Sequence, residues 1–409
     1  MISKECFIYI QLPNSFEVVT LGRLVWEKSG QTGIGTFVYG RTYLENPKAI
    51  PLDPFNLPLE DRAFEGTTND GIFGPIRDSS PDLWGRYVIE KNIPRTEWDE
   101  IGYLLHSAED RVGALSFGRG KFPPGPQKKF NQTVQLNELI KASHKLERGQ
   151  QINNAERAIL MAGASMGGAR PKTTVERDHQ LWLAKFPSYN DKTNFAKIEF
   201  ATMKLAKDCG LHVPNIDLIK IGSDSVFLTK RFDREWESKS EGYLRHHFVS
   251  GLTLLNLDEK DFKNWSYLDL AEQMRRWINN PKDDLEELYR RIIFNAFISN
   301  EDDHPRNHGF LQFSKGYRLS MAYDLVPKPN TGTARYSAMT IGTDGRIFTK
   351  KNILSRCDVF GLTKKKAEAI YKKMKATASD WRRYYAEVKL TEVDFKYLEP
   401  AFNWDGLDY

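Results

Sequence analysis

The spacing of hydrophobic and polar residues divides the chain into a strand-rich first part and a helix-rich second part. Residues 1 to about 120 read mainly as strands and turns, with one helix predicted at 80–93 and Ser80 and Pro81 at its start. The stretch 118–132, rich in glycine, proline and lysine, predicts a linker. Residues 133 to about 160 are expected to be helical. The apolar stripe of the first helix comprises Leu83, Tyr87, Val88 and Ile89.

A strand is predicted at 179–188, where Leu181, Leu183 and Lys185 share a face. An amphipathic helix follows at 194–210 and ends at Gly210. Its apolar face is formed by Phe195, Ile198, Thr202, Leu205, Ala206 and Cys209. Two strands joined by Gly-Ser-Asp-Ser come next, at 215–234. From about residue 241 the pattern predicts helices at 266–278, 284–299 and 362–388, interrupted by one hairpin within 308–325.

Composition leaves this picture unchanged and narrows the protein class. The chain is 40% hydrophobic and 28% charged, which is ordinary for a globular protein. Its 409 residues are enough for two or three domains. There is no apolar run of about 18 residues, and the N-terminus shows no signal peptide, so a cytoplasmic protein is expected. Three scattered cysteines argue against a disulfide framework and a cysteine metal site. The net charge of +5 favours an acidic partner without indicating nucleic-acid binding.

One loop carries much more chemistry than its apolar flanks suggest. The sequence Asn-Glu-Asp-Asp-His-Pro-Arg-Asn-His, at 300–308, lies between a predicted helix and a predicted hairpin. A solvated turn is one interpretation, and a metal site built on His304 and His308 is another. The metal interpretation is weakened because Pro305 and Gly309 interrupt the helix that would align the two histidines.

A phosphotransfer loop is the third interpretation. Protein kinases use an aspartate, four intervening residues and an asparagine, followed by a metal-binding aspartate. Asp302 and Asn307 have this spacing, and Asp324 follows the hairpin. The ordered combination is far more specific than the spacing alone. Because Asp303 stands beside Asp302, the spacing to Asn307 decides which of the two is assigned as the catalytic base.

The same chemistry requires backbone N–H groups around phosphates and a lysine on a strand. The glycine-rich stretch 162–172, with Gly163, Gly167 and Gly168, could supply the loop, although it matches neither the Walker nor the kinase glycine motif and could be a structural turn. Lys185 could be the strand lysine, or a side chain that only reaches to solvent. Glu199 could pair with it, or be an exposed carboxylate.

In this order, the motifs "GASMGGARPK", "LAKFPS", "LTKRFDR", "NEDDHPRNHGF" and "YDLVP" resemble those of the HipA family. "VVTLGRLVW", "FVYGRTYL" and "SSPDLWGR" resemble the N-terminal subdomain of that family. HipA proteins are bacterial serine/threonine kinases that act as toxins of toxin–antitoxin pairs. The resemblance implies an α+β, protein-kinase-like two-lobed fold with three parts: an N-terminal subdomain at 1–125, a kinase N-lobe at 126–240 and a helical C-lobe at 241–409.

The resemblance also implies residue roles. Asp302 would be the catalytic base, Asn307 and Asp324 would hold Mg²⁺, and His304 would lie beside the phosphates of ATP. Ser165 would be the autophosphorylated serine that switches the kinase off. Lys185 would contact the phosphates, and Lys230 and Phe232 would offer backbone groups to adenine. The implied nucleotide contacts are therefore Gly167, Gly168, Ala169, Arg170, Pro171, Lys172, Lys185, Lys230, Arg231, Phe232, His304, Asn307 and Asp324.

The implied partners are a helix-turn-helix antitoxin, operator DNA bound through it, and a protein substrate such as an aminoacyl-tRNA synthetase. Two other functions stay open from the sequence. A small-molecule or lipid kinase would use the same aspartate and asparagine. A nucleotide-binding scaffold without turnover could act in a DNA-bound repressor complex. The lysine-rich stretch at 363–375 is interpreted as a solvated face rather than a DNA-binding patch.

Overall fold

The computed structural model describes residues 3–30, 32–94, 98–125, 130–163, 168–330, 332, 334–404 and 407. The strands are β1 Ser3–Gln11, β2 Val18–Ser29, β3 Thr32–Tyr39, β4 Ala63–Gly66, β5 Leu115–Gly118, β6 Asn131–Gln132, β7 Lys172–Arg177, β8 Gln180–Lys185, β9 Ile216–Ile221, β10 Asp224–Lys230, β11 Arg234–Glu237, β12 Gly242–Arg245, β13 Phe248–Ser250, β14 Gly309–Phe313 and β15 Gly316–Leu319.

The helices are α1 Arg41–Leu44, α2 Thr68–Gly71, α3 Gly74–Asp78, α4 Leu83–Asn92, α5 Glu100–His106, α6 Leu136–Glu147, α7 Asn154–Met161, α8 Phe195–Asp208, α9 Gly251–Leu255, α10 Tyr267–Trp277, α11 Lys282–Phe297, α12 Lys350–Ser355, α13 Lys364–Ala378, α14 Trp381–Glu387 and α15 Glu392–Leu398. The chain forms two compact units. Unit 1 comprises 1–190, 228–249 and 311–314, and unit 2 comprises 191–227, 250–310 and 315–409.

Unit 1 begins with an antiparallel five-stranded sheet in the order β4-β3-β2-β1-β5. Alternate side chains of these strands point into one core, where Ile8, Leu24 and Phe37 are fully buried. Tyr39 joins this core and still satisfies its hydroxyl, which donates to Leu57 O at 2.6 Å and accepts from Leu52 N at 2.9 Å. The strands predicted for this region therefore form a sheet with one buried face.

A second part of unit 1 is built on β7 and β8, an antiparallel hairpin with β6 parallel to β7. A second hydrophobic cluster joins helices α4 and α5 to α6 and α7. Trp84 and Val88 from α4 pack in this cluster with Ala142 from α6 and Leu160 from α7. This second cluster thus contains residues from both sides of position 125, where a domain boundary is predicted.

Unit 2 is mainly helical. The buried face of α8 includes Ile198, Thr202, Leu205 and Ala206, as the sequence predicts, and Asn194 caps the helix by accepting from Lys197 N at 3.1 Å. Helix α11 is buried over most of its length and leads directly into the charged loop. No helix of the described residues is long and apolar enough to cross a membrane.

Several details of the predicted helices are corrected. Leu83 is 71% exposed and does not belong to the buried stripe of α4, which lies on Trp84, Val88 and Ile89. The single helix expected before residue 120 is accompanied by α5 and shorter helical turns. The helical region 133–160 is broken between α6 and α7, and the long helix 362–388 is broken between α13 and α14, at Ser379 and Asp380. The predicted domain boundaries stay predictions.

Candidate active site

The two adjacent aspartates of the charged loop have opposite environments, both within unit 2. The Asp302 side chain is 66% exposed. Asp303 is buried, and its Oδ2 accepts hydrogen bonds from Asn295 Nδ2 at 2.6 Å, His308 Nε2 at 3.1 Å and the Tyr267 hydroxyl. A carboxylate with three internal donors holds the loop together, and an exposed one is accessible to a substrate.

The electrostatics of Asp303 support this structural role. Burial alone would raise the pKa of the Asp303 carboxyl, but the pKa is lowered because His308 and Tyr267 bond to the charged form. Burial, together with the charge of Asp303, raises the pKa of the Tyr267 hydroxyl well above its ordinary value. Asp303 therefore stays ionised inside the protein, where its role is to accept these bonds.

Asn295 braces the same loop from helix α11. It is fully buried, its Nδ2 donates to Asp303, and its Oδ1 accepts from Asn300 Nδ2 at 3.0 Å. The loop is entered through Ser299, whose φ of +51° is in the left-handed region. Sequence reasoning missed Asn295. The signal was present, since a lone amide inside the apolar run at 292–298 needs a buried partner.

Asn307 and Asp324 are brought to the same region of unit 2. Asn307 is buried, and its Nδ2 donates to Asp302 O at 3.3 Å. Tyr323, the neighbour of Asp324, donates its hydroxyl to Arg306 O at 2.7 Å. Asp324 itself is exposed and has a φ of +57°, a left-handed conformation that costs a non-glycine residue energy.

Lys328 adds a cation that sequence reasoning missed. Its Nζ lies 3.2 Å from Asp302 Oδ2, and its backbone N donates to Ile298 O at 3.3 Å. The neighbouring Asn330 donates to Glu301 Oε1 at 2.6 Å. The segment after Asp324 is thus fastened onto the charged loop at several points. Because an exposed ion pair adds little stability, the main effect of Lys328 is to place a positive charge beside the Asp302 carboxylate.

His304 is half-buried within the loop. Its ring Nδ1 is buried and has no hydrogen-bond partner among the described residues. The ring centroid of Trp265 lies 6.1 Å from that of His304. The described parts of the chain contain no group of three or more His, Cys, Asp and Glu side chains arranged to hold a metal. The oxygen atoms of Asn307 and Asp324 are nevertheless the ligand type that Mg²⁺ prefers.

Unit 1 holds the predicted phosphate loop and the predicted strand lysine. Lys172 and Lys185 are register partners on β7 and β8, so their side chains leave the same face of the hairpin. Gly168 has a φ of +95°, and a Cβ atom there would lie 2.2 Å from Lys172 Nζ. Ammonium groups on this face can donate charge-assisted hydrogen bonds to an anion. The arrangement is suited to phosphate oxygens.

The rest of the glycine-rich stretch is only partly described. Ser165 and Gly167 lie outside the described residues, so the predicted phosphorylation site and one predicted phosphate contact stay predictions. Ala169 is exposed and Arg170 is half-buried. Pro171 is buried, and its carbonyl accepts from Phe186 N at 2.9 Å.

The predicted adenine-binding segment contains a buried ion network. Arg231 is 5% exposed and lies 2.6 Å from Asp110 Oδ1 and 2.9 Å from Asp233 Oδ2. Burial alone would raise the pKa of Asp233, but Arg231 and Arg234 hold it far below its usual range. The Arg231 side chain therefore stabilises unit 1, and Arg231 N donates to Leu181 O at 2.9 Å. Lys230 and Phe232, half-buried on either side, stay predicted backbone contacts.

Glu199, the carboxylate considered as a partner of Lys185, is buried on α8 in unit 2. It is therefore not the exposed helix carboxylate that the alternative interpretation supposed. Its pairing with Lys185 stays a prediction.

Comparison with known proteins identifies the family. A family model described as the HipA-like C-terminal domain matches residues 164–381, more than half of the chain, and one described as the HipA N-terminal domain matches 16–118. The chain is 26% identical over 158 residues to the serine/threonine-protein kinase toxin HipA of Shewanella oneidensis. This alignment covers 35% of this chain and 36% of that protein. A curated relative from Haemophilus influenzae is 26% identical over 191 residues, covering 40% of this chain and 52% of the relative. The alignments thus span about a third to a half of the length of these two relatives.

One solved structure extends the match to nearly the whole chain. The complex of the Shewanella oneidensis toxin–antitoxin proteins HipA and HipB with their operator DNA contains a chain that aligns with a TM-score of 0.69 and 19% identity. The alignment covers 96% of this chain and 94% of that one. It confirms the predicted α+β, kinase-like fold. The HipA-like C-terminal domain model matches more than half of the chain and therefore shows that this chain belongs to the HipA family.

Proposed function

We propose that this protein is an ATP-dependent serine/threonine-protein kinase that acts as the toxin of a toxin–antitoxin pair. The observation that carries the proposal is the contrast between two neighbouring carboxylates. Asp303 is bound by three internal donors, while Asp302 is exposed one residue away and has the kinase spacing to Asn307. Membership of the HipA family supports the same reaction.

The proposed reaction moves the terminal phosphoryl group of ATP to a serine or threonine hydroxyl. A new bond forms between that oxygen and the γ-phosphorus, and the bond from the γ-phosphorus to the bridging oxygen breaks, leaving ADP. Asp302 orients the acceptor hydroxyl and accepts its proton. Lys328 lies against Asp302 Oδ2, so the approaching hydroxyl must use the other oxygen or displace the ammonium group.

The residues present fit ATP and Mg²⁺. The oxygen atoms of Asn307 and Asp324 would hold Mg²⁺, which supplies charge neutralisation for the phosphate oxygens when bound. Lys172 and Lys185 would donate to phosphate oxygens. The predicted loop at 167–172 would add backbone N–H groups, except at Pro171, which has none, and at Gly168, whose N–H donates to Asp82. His304 presents a buried Nδ1 that has no partner among the described residues, and a phosphate oxygen or a water can bind it.

We further propose partners and a switch. The partners are a helix-turn-helix antitoxin and operator DNA contacted through it, by analogy with the similar Shewanella complex of HipA, HipB and operator DNA, and the substrate is a translation component such as an aminoacyl-tRNA synthetase. A gel shift with operator DNA and the product of the gene next to the one that encodes this chain tests the DNA complex. A chain that binds operator equally well alone would contradict it.

Autophosphorylation at Ser165 would add about −1.5 to −2 charge within the glycine loop and weaken ATP binding. Mass spectra after incubation with Mg-ATP should show one phosphate at Ser165.

Phosphoproteomics of cells that express the wild-type chain or Asp302→Asn tests the proposal and identifies the substrate. We expect a small set of serine and threonine sites that appear only with the wild type. Identical phosphoproteomes, together with no transfer to any protein of the lysate by the purified wild type, would overturn the kinase assignment. Transfer to a sugar or a lipid instead would favour the small-molecule alternative.

A further inference from the structure

Asp82 occupies a helix-capping position but does not cap its own helix. It is the residue before α4, where an aspartate ordinarily accepts a hydrogen bond from a backbone N–H in the first turn. No such bond is present in α4. Asp82 Oδ2 instead accepts from Gly168 N at 2.8 Å, across 86 positions of sequence. A favourable local bond has been replaced by a distant one.

Gly168 is held by the same helix on its other side. The backbone N of Trp84, in the first turn of α4, donates to Gly168 O at 3.1 Å. Both backbone polar groups of Gly168 are therefore bound by the start of α4. Arg77 Nη1 lies 3.7 Å from Asp82 Oδ1, and the Asp82 side chain is only 18% exposed, so the carboxylate is confined where Gly168 needs it.

The position of Gly168 matters for the phosphate-binding residues. A Cβ at Gly168 would lie 2.2 Å from Lys172 Nζ, so the lysine ammonium group rests against this glycine. The φ of +95° is one that residues with a side chain rarely adopt. The ammonium group that we propose to bind phosphate therefore lies beside the backbone that Asp82 holds.

Helix α4 also contacts the helix that leads into the glycine-rich stretch. Trp84 and Val88 share a buried cluster with Leu160, near the end of α7. Shortly after α7, Gly163 passes so close to Thr173 that an added Cβ would meet the threonine Oγ1 at 2.0 Å. The chain is thus fixed near the beginning of the stretch and at Gly168, and α4 takes part at both places.

We propose that Asp82 is a positioning residue of the nucleotide site. Through Asp82, the N-terminal region holds Gly168, beside the Lys172 ammonium group, in the conformation that phosphate binding needs. Residues 16–118 are the part of the chain matched by the HipA N-terminal domain model, and Asp82 lies within it. The proposal rests on the proposed function in taking ATP as the ligand of this loop. It implies that nucleotide affinity is controlled partly from outside the kinase region.

The test uses the full chain with Asp82→Ala, Asp82→Asn and the control Asp53→Ala. Asp53 is also a buried aspartate of the N-terminal region, but its carboxylate accepts hydrogen bonds within its own turn, from Phe55 N at 2.8 Å, Asn56 N at 2.9 Å and Asn56 Nδ2 at 2.7 Å. The readouts are the dissociation constant of Mg-ATP, kcat, and hydrogen–deuterium exchange of the peptide containing Gly168.

Asp82→Ala should raise the dissociation constant and KM for ATP about tenfold, because one charge-assisted hydrogen bond is lost, while kcat changes less than about threefold. Exchange at Gly168 should become faster. Asp82→Asn should stay within about threefold of the wild type, because its amide oxygen still accepts. Asp53→Ala should leave ATP affinity unchanged even where it lowers the unfolding temperature. If Asp82→Ala does not fold, Asp82→Glu displaces the carboxylate and should weaken ATP binding in the same direction.

Two results separate the possible failures. Wild-type affinity and unchanged Gly168 exchange in Asp82→Ala would overturn the role of Asp82 and leave the kinase proposal standing. A wild-type chain that does not bind Mg-ATP at all would overturn the proposed function and, with it, this positioning role.

Discussion

Replacing each of the two adjacent aspartates by alanine should separate stability from activity. Asp303→Ala leaves Asn295, Tyr267 and His308 without their acceptor inside the protein. Removing one member of a buried charged pair costs about 3–5 kcal/mol, and at roughly 2–4 °C per kcal/mol the unfolding temperature should fall by roughly 6–20 °C. Asp302→Ala removes only an exposed ion pair with Lys328 and should cost less than about 0.5 kcal/mol.

The assay is thermal unfolding of both variants in one buffer, followed by phosphotransfer at a temperature where both are folded. We expect Asp302→Ala to unfold at the same temperature as the wild type but to lose phosphotransfer. We expect Asp303→Ala to unfold at a lower temperature. An unfolding temperature of Asp303→Ala within about 2 °C of the wild type would refute the structural role of Asp303. A lower stability of Asp302→Ala than of Asp303→Ala would refute it equally.

Three further predictions concern pH, metal and the ion network. Burial opposes ionisation of Asp303, yet His308 and Tyr267 hold its pKa below 3.8, so its stabilisation is present above pH about 4 and is lost as the pH falls through the folded pKa. The difference in unfolding temperature between the wild type and Asp303→Ala should therefore narrow as the pH is lowered from 7 towards 3, and a constant difference would contradict it. With ATP bound, Mg²⁺ should raise the unfolding temperature of the wild type further, and Asn307→Ala and Asp324→Ala should each abolish this additional rise. An unchanged rise in both variants would exclude their metal role. Asp233→Ala should destabilise the chain by about 3–5 kcal/mol in thermal unfolding because two buried arginines lose a partner, whereas removing the exposed Asp344 carboxylate should have little effect.

The sequence predicted the order of the elements and of the motifs, because both depend on local patterns. The strand carrying Lys185, the helix 195–208 and the charged loop after α11 are all present. Element ends were predicted less well. The pattern assigns Leu83 to an apolar stripe, but its side chain faces solvent, since periodicity indicates which residues share a face and not where the buried face begins.

Contacts between distant residues could not be predicted from patterns. Nothing local distinguishes Asp82 from an ordinary helix cap, and only the fold brings it to Gly168. The Arg231 side chain lies in an ion network that includes Asp110, 121 positions away, and its predicted nucleotide contact stays a prediction. The choice between Asp302 and Asp303 rested on spacing, and their opposite exposure now supplies a physical argument for it.

The central claim is tested most directly by transfer of labelled γ-phosphate from ATP to protein by purified wild type and Asp302→Asn, with Mg-ATP affinity measured on the same samples. We predict that transfer falls about 10²–10⁴-fold in the variant, because it lacks the group that we propose accepts the hydroxyl proton. The affinity for Mg-ATP should stay within about threefold, because Asn307 and Asp324 are untouched. Transfer by Asp302→Asn at the wild-type rate would contradict the account.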